Sequence, residues 1–288
     1  MPDSIDKYIN TIVCGDCLDI LRDFPDGCVD LVVTSPPYDN LRDYHGYVQI
    51  PVGTIARELW RVVKDGGIVV WIVGDAVVEG SETGTSFVTA LTFISPPKRY
   101  QWRLHDTMIY NRPCAYPGNT RYSQDFEYMF VFSKNKPVTT NIIKDIRSLT
   151  AGRSAIKKGK LTKSGKRVDE KGNRIRPEYK ERPNIWTYNA GGGHNDKVAY
   201  EHPAIFPEKL AADHIKSWSN PGELVVDIFS GSGTTCKMAS RLGRRYIGID
   251  ISSDYCEIAR KRLEAVDTGV PVKERNAGQM PMFPAHDG

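Results

Sequence analysis

The sequence predicts an α/β protein with a Rossmann-like, mostly parallel sheet, and three apolar segments with special turns behind them carry that prediction. Leu224-Val225-Val226-Asp227-Ile228-Phe229 reads as a buried strand, followed by the glycine turn Ser230-Gly231-Ser232-Gly233 and a helix from Thr234 to near Gly243. Arg245-Tyr246-Ile247-Gly248-Ile249-Asp250 reads as the next strand. Its terminal acid stands nineteen residues after Gly231, the spacing with which a Rossmann-like unit holds a ribose, so Asp250 is the expected ribose ligand. The third segment, Val29-Asp30-Leu31-Val32-Val33, runs into Thr34-Ser35-Pro36-Pro37-Tyr38.

That proline pair fixes the backbone and removes two amide donors, which leaves nearby carbonyls and the Ser35 hydroxyl as acceptors. Tyr38 adds a flat ring. Acceptors and a stacking face together suit a planar ring with an exocyclic amine, such as adenine or cytosine. A plain proline-rich turn would look the same in isolation, and the glycine turn is what favours the functional reading.

Other nucleotide sites fail on specific residues. A P-loop requires a lysine beside its Ser/Thr, whereas Thr234-Thr235 follow Gly233 and the next lysine is Lys237. A dinucleotide fingerprint requires a third glycine where Cys236 stands. Asp227 and Asp250 both close strands, and acids there fit a cationic cofactor without phosphates better than a pyrophosphate. S-adenosylmethionine, with its sulfonium and ribose, has that chemistry.

With these residues in view, the chain resembles the amino-directed DNA methyltransferases, which pair a Ser/Asp/Asn-Pro-Pro-aromatic motif with Phe-x-Gly-x-Gly. Ser35-Pro36-Pro37-Tyr38 precedes Phe229-Ser230-Gly231-Ser232-Gly233 here, an order similar to the family's beta arrangement. Residues 11–75, 105–133 and 200–264 carry the resemblance. Cys14-Gly15-Asp16-Cys17-Leu18 resembles the family's Gly-Asp turn, and Glu58–Gly67 its helix-to-strand turn. Glu201-His202-Pro203-Ala204-Ile205-Phe206-Pro207 resembles the segment that opens the helix lining the methionine end of the cofactor pocket. Capping or stabilising that helix entry is an equal alternative reading of His202.

The resemblance implies methyl transfer from S-adenosylmethionine to the exocyclic amine of a base extruded from double-stranded DNA. Catalytic residues would be Ser35, Pro36, Pro37 and Tyr38. The cofactor would be held by Asp16, Cys17, His202, Phe206, Asp227, Phe229, Ser230, Gly231, Ser232, Gly233, Thr234 and Asp250. Within the family Ser-Pro-Pro-Tyr is associated more with cytosine N4 and Asp-Pro-Pro-Tyr with adenine N6, so Ser35 favours cytosine and leaves adenine N6 as the alternative. A protein-glutamine amide methyltransferase places its glycine motif first, and a catalytically inactive DNA-binding protein needs neither motif. The resemblance allows a cognate restriction endonuclease, whose presence, like the recognition sequence and the oligomeric state, is not legible in the sequence.

Charge is uneven. The net charge is +4, yet Lys144 to Arg182 holds fourteen Lys/Arg against five Asp/Glu, a local excess of nine. The segment is glycine-punctuated and almost without apolar periodicity, which predicts a mobile basic loop. Lys157, Lys158, Lys160, Lys163, Lys166 and Arg167 are its candidate phosphate contacts. The expected organisation is a catalytic part over residues 1–143, a target-recognition insertion over 144–185, a cofactor-binding part of the same domain over 186–264, and a disordered tail over 265–288.

At 288 residues and 40% hydrophobic content, the chain has room for a substantial core. Met1–Lys7 lacks a signal-peptide pattern and Ile68–Val73 is too short to span a bilayer, so a cytoplasmic protein without a membrane partner is expected. Cys14-x-x-Cys17 has no second such pair and no regular histidine spacing, which argues against zinc or a redox role; no metal is expected.

Overall fold

The computed structural model describes residues 5–37, 50–95, 97–113, 121–156, 160–161, 164, 167–168, 173–188 and 207–268. The chain forms two compact units, one from residues 1–141 and 184–288, the other from Ile142 to Pro183.

The larger unit contains β1 (Thr11–Cys14), α1 (Cys17–Arg22), β2 (Val29–Thr34), α2 (Val52–Val62), β3 (Val63–Val73), a hairpin of β4 (Val77–Val78) and β5 (Ser81–Glu82), α3 (Thr85–Ile94), β6 (Arg103–Asn111) and β7 (Phe126–Ser133). The smaller unit contributes β8 (Lys144–Arg147), β9 (Ser154–Ile156), β10 (Lys160–Leu161), β11 (Arg167–Val168), β12 (Asn173–Ile175) and β13 (Tyr179–Glu181). The larger unit resumes with β14 (Ile185–Thr187), α4 (Glu208–Trp218), β15 (Leu224–Asp227), α5 (Thr234–Arg241), β16 (Arg245–Asp250) and α6 (Ser253–Thr268).

Eight strands form one sheet in the order β1-β16-β15-β2-β3-β7-β6-β14. From β1 to β3 all neighbours are parallel; β7 alone runs antiparallel, to β3 and to β6, and β14 returns parallel to β6. This agrees with the mostly parallel α/β sheet expected. Central parallel strands are covered on both faces, which is why β15 and most of β2 read as unbroken apolar runs. Leu31, Val32, Val69, Trp71, Val226 and Ile247 are at most 1% exposed. Burying each such side chain contributes about 1.5–3 kcal/mol. Helix α2 follows the same logic at its own period, presenting Ile55, Ala56, Leu59 and Val62 inward.

Three expectations are corrected. The basic segment is not an unstructured loop: β8 pairs with β13, β9 with β12 and β10 with β11, all antiparallel and nested as in one long hairpin. Cross-links such as Ser148 N to Glu178 O (2.7 Å) and the ion pair of Arg182 with Asp145 hold it. Alternation was absent from the sequence because neither face of β8 or β13 is a core face, and Ile146, Leu149, Ile175 and Tyr179 are all exposed. Second, Ile185 lies not in the insertion but in β14, opposite Ile109 of β6. Third, α6 continues to Thr268, past the start of the expected tail at 265, because no helix breaker follows before Gly269. Residues 269–288 lie outside the described residues.

Candidate active site

In sheet order, β1, β16, β15, β2 and β3 are parallel, so their carboxyl ends share one edge. The path from β15 continues through α5 to β16 on one side, and from β2 through α2 to β3 on the other. The topological switch point therefore lies between β15 and β2, where open α/β sheets bind ligands. Two loops emerge there: Phe229–Gly233 after β15 and Ser35-Pro36-Pro37 after β2. Motifs from opposite ends of the sequence are thus neighbours.

The Asp250 carboxylate closes β16 and holds the glycine turn, Oδ2 accepting from Gly231 N at 2.7 Å and Oδ1 from Ser252 N at 2.9 Å. Burial pushes its pKa up, and the backbone donors partly counter that. Next to it, Gly15 N donates to Asp250 O at 2.9 Å, which brings the β1 turn alongside. Asp16 is exposed and caps α1, accepting from Leu18 N at 2.7 Å. Burial pushes the Cys17 thiol up to about 12, the opposite of a reactive thiol. Cys14 and Cys17 are both free, and no metal-ligating cluster occurs among the described residues.

The glycine turn is braced from behind. Arg262 of α6, 0% exposed, donates to Ser232 O (2.5 Å), Ser232 Oγ (2.9 Å) and Thr234 Oγ1 (3.2 Å), and pairs with Glu208 Oε1 at 3.0 Å. Glu208 also receives Lys237 at 2.8 Å. Arg262 and Lys237 are buried and matched by the partly exposed Glu208, and removing Glu208 would strand both cations. Gly233 has φ +76, and a Cβ there would stand 2.8 Å from Ala259 Cβ, so glycine is required for both the turn and the close approach of α6.

Asp227 is 1% exposed. Its Oδ1 accepts from Thr34 Oγ1 at 2.7 Å and from Phe229 N at 3.1 Å, and burial pushes its pKa up to about 6. Thr235 Oγ1 donates to Val33 O at 3.2 Å. The same inward engagement holds for four of the residues that the sequence assigns to the cofactor. Asp227, Ser230, Ser232 and Thr234 were expected as cofactor ligands, but each side chain is at most 5% exposed and engaged inward, with Ser230 Oγ beside Cys236 Sγ at 3.9 Å. Gly231 and Gly233 are buried too and set the backbone path.

Of the expected site residues, Asp16, Cys17, Ser35, Pro37, Phe229 and Asp250 retain solvent access at this edge, and Pro36 is buried. Phe229 meets Trp71 edge to face at 6.0 Å. Tyr38, His202 and Phe206 lie outside the described residues, as do Lys157, Lys158, Lys163 and Lys166; Lys160 and Arg167 are placed only by their strands. Sequence reasoning missed Thr34, Thr235, Glu208, Lys237 and Arg262. Arg262 could not be told from a surface helix residue, because its partners lie in the glycine turn, α5 and α4, far away in the chain. Asp75, after β3, was also missed; it is 6% exposed and accepts from Ser86 N (2.8 Å) and Ser86 Oγ (2.5 Å).

Two accessible carboxylates, Asp16 and Asp250, beside a backbone turn form an anionic edge. That donor set fits ribose hydroxyls and a sulfonium and would repel a pyrophosphate. Fold and site together define the class as a Rossmann-like α/β protein whose two motif loops meet at the switch point of its sheet.

Residues 29–261 match the family model described as DNA methylase, of the N6/N4 type. The chain belongs to the N6/N4 DNA methylase family of S-adenosylmethionine-dependent DNA methyltransferases. It is 49% identical over 243 residues, 83% of this chain and 90% of the relative, to the orphan methyltransferase M.BamHII of Bacillus amyloliquefaciens. It is 25% identical to the DNA adenine methyltransferase YhdJ of Escherichia coli strain K12, with 97% and 92% of the two chains covered. Among solved structures it superposes on the cytosine-N4-specific PvuII DNA methyltransferase with a TM-score of 0.63 at 22% identity, covering 93% of each chain. A complex of M1.HpyAVI with S-adenosylmethionine matches with a TM-score of 0.56 at 22% identity, covering 88% of this chain and 98% of the other. No helix among the described residues is long and apolar enough to cross a membrane.

Proposed function

We propose that this site-specific DNA methyltransferase modifies the N4 amine of cytosine, with Ser35 and Pro36 as the groups that act on the amine. The observation that carries the reading is the position of Ser35-Pro36-Pro37 at the switch point, tied through Thr34 and Asp227 to the glycine turn. An exocyclic amine is a poor nucleophile because its lone pair is delocalised into the ring. Ser35 Oγ and the Pro36 carbonyl accept its two hydrogens and draw the nitrogen towards tetrahedral geometry. Tyr38 stacks on the extruded base. Asp250 and Asp16 hold the ribose side of S-adenosylmethionine, and Phe229 packs against it. When bound, the cofactor supplies the electrophilic methyl that the localised lone pair takes up. The surplus proton of the amine leaves through Ser35 to water.

Serine rather than aspartate at position 35 supports cytosine. The basic residues of the hairpin unit, Lys157, Lys158, Lys160, Lys163, Lys166 and Arg167, are assigned to the DNA backbone. The relative at 49% identity is named an orphan methyltransferase, which supports action without a dedicated endonuclease. Nucleoside mass spectrometry of DNA from cells expressing the chain tests the base: N4-methylcytosine is expected. N6-methyladenine in its place would reassign the target.

A further inference from the structure

We propose that Asp227 and Thr34 form a staple that sets the position of the Ser35 loop relative to the cofactor turn, making Asp227 a positioning residue of the catalytic loop and not a cofactor ligand. One carboxylate oxygen, Asp227 Oδ1, accepts from Thr34 Oγ1 at 2.7 Å and from Phe229 N at 3.1 Å, so it joins the residue before Ser35 to the residue before the glycine turn. Thr34 is 0% exposed and Asp227 1%, which leaves no room for water to replace either bond. A parallel tie runs one residue earlier, from Thr235 Oγ1 to Val33 O at 3.2 Å. Between β15 and β2 the ladder registers only Val225 with Leu31 and Val226 with Val32. The strand ends beyond that register, where both loops start, are joined by side chains.

Transfer between two bound partners demands sub-ångström alignment, and a misplacement of about 1 Å can cost about a hundredfold. A device at this position acts on the transfer rate more than on the affinity of either ligand. The inference rests on Ser35 as the amine acceptor.

Thr34→Val removes the hydroxyl at nearly constant volume, Thr34→Ser keeps it, and Asp227→Asn keeps the Oδ1 acceptor. Single-turnover methylation of unmethylated plasmid DNA with tritiated S-adenosylmethionine, S-adenosylhomocysteine affinity by calorimetry, and thermal unfolding are measured on all three. Thr34→Val is expected to lose about tenfold or more in transfer rate at a temperature where it is fully folded, with cofactor affinity within about twofold of wild type. Thr34→Ser and Asp227→Asn should recover most of the rate. A Thr34→Val rate equal to wild type overturns the staple, as does a loss that appears wholly in cofactor affinity or that Thr34→Ser shares. If the valine variant does not fold, Thr34→Ala serves the same comparison. A wild-type protein that methylates no DNA refutes the functional reading itself, whereas a methylating wild type with an indifferent Thr34→Val refutes the staple alone.

Discussion

Ser35 and Asp227 stand a few residues from the same loops, yet burial gives them opposite tasks. Ser35 is half-buried at the carboxyl edge of the sheet, and in the proposed reaction its hydroxyl accepts from the target amine. Ser35→Ala should therefore reduce single-turnover methylation by about ten- to a thousandfold, the range for one well-placed polar group, with S-adenosylhomocysteine affinity unchanged by calorimetry. An undiminished rate would remove Ser35 from the reaction. Asp227 is enclosed, and burial raises its pKa from 3.8 to about 6. Since the folded state holds that proton more tightly than the unfolded chain, the stability owed to this group is fullest below pH 4 and is lost as pH rises towards 6 and beyond. Asp227→Asn cannot ionise, so its unfolding free energy relative to wild type should rise between pH 4 and pH 7 by about 1–3 kcal/mol. Urea titrations at the two pH values check it, and a pH-independent difference would mean that Asp227 ionises normally.

At the scale of elements, the strand β15, turn and helix α5 unit is held in place by α6. Two separate costs meet at Gly233: a left-handed φ of +76 and a Cβ that would press on Ala259 at 2.8 Å. Gly233→Ala should destabilise the fold by about 2–4 kcal/mol, combining backbone strain with overpacking. Gly243 is a control of the same conformation, with φ +71 and nothing within 4 Å of the position a Cβ would take, so Gly243→Ala should cost only about 1 kcal/mol. Equal losses for the two in urea unfolding would show that the α6 contact adds nothing. The brace from Arg262 to Ser232 and Thr234 was invisible in sequence for a related reason. Helical spacing shows which residues share a face, but not which distant turn that face will meet.

At the scale of the molecule, the excess of positive charge belongs to the nested hairpin of the second unit, while the motifs belong to the first. Neutralising Lys157, Lys158, Lys160, Lys163, Lys166 and Arg167 together should reduce the slope of log DNA affinity against log salt by about five units if all six meet phosphates. S-adenosylhomocysteine affinity without DNA should be unchanged. An unaltered slope, with circular dichroism intact, would place the DNA backbone contacts elsewhere.

What the sequence determined by itself was local: the apolar runs of β2, β15 and β16, the glycine turn, the acid at the end of β16, and the proline pair after β2. Each follows from the pattern of a few consecutive residues, because strand burial, turn chemistry and proline stiffness are short-range effects. The family resemblance followed from the same residues. Only the tertiary structure decided that Asp227 serves Thr34, 193 positions away, and that Arg262 is buried against the glycine turn. It also decided that β7 reverses direction within the sheet and that the basic segment pairs as a hairpin. Those outcomes depend on which surfaces meet after the chain folds back on itself, and hydrogen bonds between distant segments leave no periodic trace in the order of the residues.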